Sequence, residues 1–133
     1  TPLRVERSSP QMSQDKREAV VAVLTRYVES YLQADVDALR DVFADDAVMN
    51  GHVGDRLVTG SPEVFIQNVG KAPPIVSSGG TPTYEIGEVE VTGNAAAVTV
   101  RELGFGGLNF TDYMHLLKRD GMWKIVSKTF STF

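Results

Sequence analysis

Apolar and polar positions alternate most sharply near the end of the chain, where residues 112–130 read DYMHLLKRDGMWKIVSKTF. Two apolar runs flank Asp120-Gly121, and an Asp-Gly pair so placed signals a tight two-residue hairpin turn. That loop pairs Arg119 with Met122, Leu116 with Ile125 and Asp112 with Thr129. Period-two alternation then sets Asp112, Met114, Leu116, Trp123, Ile125, Ser127 and Thr129 on one face. Thr111, Tyr113, His115, Leu117, Lys124, Val126, Lys128 and Phe130 fall on the other. Asp112 is therefore a carboxylate on the more apolar face. Unpaired and ionised it would be costly there, so a raised proton affinity or a dedicated donor is expected.

Upstream the period changes. Residues 1–14 carry Pro2, Pro10 and several serines without periodicity and are expected to form a flexible arm, ahead of one domain over 15–133. A helix is predicted from Asp15, with Glu18 completing a box-like cap. Val20, Leu24, Tyr27, Val28 and Tyr31 share one face of it. Asp35 can cap a second short helix over 36–43. A short strand follows over 47–53, with Gly51 and Gly54 marking a bend or bulge. Ser61-Pro62-Glu63 opens a third helix that stops at Gly70. The irregular stretch KAPPIVSSGGTP over 71–82 is long for a bare connector and suggests a lid or rim. A second hairpin, 83–91 and 95–103, turns at Gly93-Asn94. Helices, a short strand pair, a helix and four long strands make an α+β domain: about three helices packed in a curved, mainly antiparallel sheet.

Composition narrows the chemistry. The chain has 133 residues, 42% hydrophobic and 23% charged, as expected of one globular domain. A net charge of −4 with no basic stripe argues against a nucleic-acid partner. Cysteine is absent, which removes disulfides, thiol nucleophiles and thiolate metal sites. No segment approaches the roughly 18 consecutive apolar residues of a membrane span. Cytoplasm is the default location; a processed start at Thr1 leaves the periplasm or secretion open. Two distant histidines make a poor metal site, so no metal is expected. Gly104-Phe105-Gly106-Gly107 lacks the helix of a phosphate cradle, and Ser77-Ser78 has no histidine at triad spacing. Cofactor-free chemistry, or none, remains.

RYVESYLQADVDALRDVFADDA over 26–47 resembles the first half of nuclear-transport-factor-2-like proteins. These are cone-shaped α+β folds that include ketosteroid isomerase, SnoaL-like polyketide cyclases, scytalone dehydratase and limonene epoxide hydrolase. FTDYMHLLKRDGMWKIVSKTF over 110–130 resembles most the branch known as putative lumazine-binding proteins. A likeness to ketosteroid isomerase would place Tyr27 at the oxyanion-hole tyrosine and Asp112 at the protonated, donating aspartic acid. The proton-shuttling aspartate of that family falls on Gly51, so steroid double-bond isomerisation is not expected. Asn50 and His52 flank the gap, and either could replace the base if the glycine turns it inward.

The catalytic candidates are thus Asp112, Tyr27 and His52. Tyr31, Asn50, Phe110, Met114, Ser127 and Thr129 are the candidate ligand contacts. Against these stand plainer roles: Asp112 as a tie between sheet and helix, the tyrosines as core, His52 as a surface residue. Three functions compete. One is a cofactor-free isomerase, dehydratase, lyase or cyclase acting on a hydrophobic molecule. Another is a non-catalytic binding domain using the same cavity. The third is a homodimerising module that works through its convex sheet face, where Tyr113, His115, Leu117, Val126 and Phe130 lie between Lys124 and Lys128.

Overall fold

The structure, a computed structural model, describes residues 10–133. Helix α1 spans Pro10–Gln33 and starts before Asp15, overlapping the end of the expected arm; residues 1–9 lie outside the described residues. Asp15 and Glu18 do not cap it. They accept side-chain hydrogen bonds from Gln11 (3.0 Å) and Gln14 (3.2 Å), one helical turn back. Val20, Leu24, Tyr27 and Val28 are buried, as their spacing predicts. Ala34, at φ 55°, ends the helix, and the Asp35 carboxylate accepts from the Ala38 amide (3.2 Å) to start α2, Val36–Asp41.

Strand β1, Phe43–Val53, pairs with the short β2, Arg56–Val58. Helix α3, Glu63–Lys71, has the Ser61 hydroxyl accepting from the Glu63 amide (3.3 Å). A 3₁₀ turn, Ile75–Ser77, lies within the long loop. Next come β3, Thr83–Ile86, and β4, Glu90–Thr92, two pieces where one strand is predicted. They part at Gly87, whose amide donates to the Thr99 carbonyl (2.8 Å) so closely that a Cβ would sit 2.9 Å from that oxygen. Long strands β5, Ala95–Phe105, β6, Leu108–Arg119, and β7, Met122–Thr132, complete the chain.

The strands order as β2-β1-β7-β6-β5-β3, with β4 also on β5. All neighbours are antiparallel except β1 and β7. Helices cover one face of this curved sheet, giving the expected cone-shaped α+β architecture. Asp120 (φ 51°) and Gly121 (φ 77°) form the predicted turn, and Arg119 does pair with Met122. Trp123 and Asp112 are both buried on the helix-covered side.

Candidate functional site

The register of β7 decides what the site contains. Leu116 pairs with Ile125, as the two-residue turn requires, but His115 pairs with Ser127. Val126 is the extra residue of a β-bulge, and one extra residue inverts every side chain beyond it. Asp112 consequently faces Phe130, and Met114 faces Lys128. Lys128 (3% exposed) and Phe130 (5%) point inward. Ser127 and Thr129, expected inside, turn to the outer face, where Thr129 is exposed. Phe130 and Lys128 are likewise lost from the expected convex patch.

Between the sheet and α3 lies a cavity of about 320 Å³. Its walls are mainly apolar, with Tyr31 from α1, Phe65 from α3, and Phe110 and Phe130 from the sheet. Ala72, Pro73 and Ile75 of the long loop form part of the rim. Four polar side chains join them: Glu102, Lys128, Arg56 and Asn68. Arg56 and Asn68 are exposed at the mouth, whereas Glu102 and Lys128 are buried.

Lys128 Nζ donates to the Tyr27 hydroxyl at 2.6 Å. It also lies over four aromatic rings, at 4.4 Å from Phe65, 4.8 Å from Phe130, 5.2 Å from Tyr27 and 6.0 Å from Tyr31. Ring faces attract a cation, most strongly where water is excluded. No carboxylate comes within 4.0 Å of this ammonium among the described residues.

Glu102 and Asp112 are fully buried. Asp112 sits opposite Val100, and Glu102 opposite Phe110, so the two acids are diagonal neighbours on one face of β5 and β6. As two carboxylates, none of their oxygens has a donor. A proton on Glu102 resolves this by making it the donor to Asp112. Burial, then that hydrogen bond and the Asp112 charge, hold the Glu102 carboxyl well above its ordinary value; Lys128 pulls weakly the other way. Burial and the negative character of the acid pair also push the Tyr27 and Tyr31 phenols upward, so both remain protonated.

Besides Ser127 and Thr129, which face outward, the sequence-derived candidates divide into three groups. Tyr31 and Phe110 line the cavity. Tyr27, Asp112 and Met114 are wholly buried around it without forming its wall: Tyr27 supports Lys128, and Asp112 supports Glu102. Asn50 and His52 do not reach it. β1 runs beside β7 in unbroken register from Val48 to His52, so no bulge at Gly51 turns its neighbours inward, and both are exposed on the outer face. The irregularity of β1 lies earlier, between Phe43 and Val48. Gly51 has a packing reason instead: a Cβ there would meet the Phe130 carbonyl oxygen at 2.2 Å and its ring at 2.5 Å. Glu102, Lys128 and Arg56 were missed. Glu102 was legible, since it continues the buried alternation Val98, Val100 and lies two residues along from the position facing Asp112. Among the described residues, no three His, Asp or Glu side chains gather as metal ligands.

This cone of curved sheet and helices is the fold of the nuclear-transport-factor-2-like class. Within it, a family model described as putative lumazine-binding matches residues 15–131, and the chain belongs to that family. A protein of unknown function from Silicibacter pomeroyi DSS-3 is 27% identical in sequence, with a TM-score of 0.81, over 91% of this chain and 98% of that one. Another from Shewanella baltica OS155 is 26% identical, with a TM-score of 0.80, over 96% and 98%. A ketosteroid isomerase-like protein from Erwinia carotovora atroseptica SCRI1043 shares the fold at 19% identity and a TM-score of 0.66, over 90% and 97%. No curated protein matches the chain in sequence.

Proposed function

We propose that the cavity receives a small, planar, mostly apolar molecule and acts on it without a cofactor, by acid-assisted isomerisation, elimination or hydration. The observation that carries this reading is the presence of two buried ionisable side chains, Glu102 and Lys128, on one apolar cavity, with burial and Asp112 holding Glu102 well above its ordinary value. Burying both is costly for a fold that needs only a core, and perturbed groups converging on a cleft favour a functional role. At rest the single Glu102 proton is directed to Asp112, and it turns to the reacting oxygen when substrate fills the cavity. Lys128 stabilises negative charge that grows on that oxygen, with Tyr27 fixing the ammonium. The aromatic walls suit a flat ring system.

The family's description supports a second reading, binding without turnover. Lumazine is a flat bicycle with carbonyl oxygens, and the same walls and donors would hold such a molecule. One experiment separates the two. The protein is incubated with a small-molecule extract, and mass spectrometry follows species that isomerise or change by one water. Turnover is expected in wild type and should fall about a hundredfold in Glu102→Gln with the fold intact. Saturable binding with no change in any ligand would favour the second reading.

We also propose that the convex face pairs with a second copy. Tyr113 is 54% exposed there, beside His115, Leu117 and Val126, without the help of Phe130.

A further inference from the structure

The charges around the cavity do not match an uncharged ligand. An ammonium has three donors, and Tyr27 takes one from Lys128; no other protein acceptor takes the rest among the described residues. Arg56, at the mouth, forms no ion pair among them either. Two cationic side chains thus line one cavity of a chain whose net charge is −4. Glu102 is the acid on that wall, and its oxygens and those of Asp112 lack any donor while both are ionised.

We infer that the cavity is built for an organic anion, whose charged end seats on Lys128. This rests on the small-molecule reading of the cavity above. Within the protein the ammonium meets one hydroxyl acceptor and four ring faces, so a carboxylate on the ligand supplies the charged partner that no side chain supplies. Glu102 on the same wall is held well above its ordinary value by burial and by Asp112, so its own charge does not oppose the anion. Arg56 on β2 attracts the anion at the mouth.

Titration calorimetry on the full chain tests this with 2-naphthoate and 2-naphthamide, which share a shape and differ in charge. Each is titrated at neutral pH. Naphthoate should bind about tenfold tighter or more than the amide. Lys128→Met should erase the preference and Lys128→Arg keep it; should the methionine variant not fold, Lys128→Gln takes its place. Equal binding of acid and amide by wild type would overturn the charge assignment while leaving the cavity reading intact. Binding of neither compound would remove the cavity reading and this inference together.

Discussion

Replacing Glu102 by glutamine isolates the one proton on which the site depends. In the folded chain Glu102 holds its proton well above the ordinary 4.5, mainly because it is buried and then because it donates to Asp112. In the unfolded chain it releases that proton near the ordinary value. Above about pH 4.5 the folded state therefore binds one more proton than the unfolded state. Stability must fall as pH rises, by up to about 1.4 kcal/mol per pH unit, until the folded value is reached. Glutamine has no proton to lose but keeps a donor for Asp112. The variant lacks that slope, so its stability relative to wild type should improve with pH by about the same 1.4 kcal/mol per unit. For a chain of this size that corresponds to about 5 °C in Tm per unit. Urea unfolding of both proteins at steps from about pH 5 to about pH 8 reads the difference directly, and titrations common to both cancel. Parallel curves would mean that Glu102 is ionised in the folded state. The proposed acid would then be lost.

Gly51→Ala should destabilise the fold by about 1–3 kcal/mol or more, because the new Cβ meets backbone at 2.2 Å and β1 must part from β7; an unchanged urea midpoint would refute the packing account. Asp112→Asn should keep the fold and cut turnover or ligand affinity about a hundredfold. A variant that unfolds readily, yet whose folded fraction is fully active, would make Asp112 architectural. Sedimentation at micromolar concentration should show a dimer for wild type and a monomer for Tyr113→Asp; monomer in both would remove the sheet-face interface.

The helices, the turn at Asp120-Gly121 and the inward face of Asp112 and Trp123 all follow from local signals: caps, turn chemistry and period. What alternation could not deliver was Lys128. Ile125 and Val126 are adjacent apolar residues, compatible with either phase of a strand, and only pairing with β6 places the bulge at Val126. That single residue moved Lys128 and Phe130 from the expected outer face to the cavity and sent Ser127 and Thr129 out. Gly51 was misread for a related reason. A glycine in a strand signals either a bulge or a close approach, and the Phe130 ring that approaches it was then assigned to the far side. Had Gly51 bulged, Asn50 or His52 could have turned in; with regular pairing to β7, both stay outside. Glu102 needed no tertiary information, only the same question that was asked of Asp112.

Native mass spectrometry tests the central claim, that the cone is a small-molecule site organised by Lys128 and Glu102. Wild type, Lys128→Met and a cavity-filling Val69→Trp variant would be purified freshly and then incubated with lumazine and a panel of aromatic carboxylates. The account predicts a bound species on wild type at one per chain, weakened in Lys128→Met and absent from Val69→Trp. Equal occupancy of all three proteins, or bare chains throughout for wild type, would contradict it.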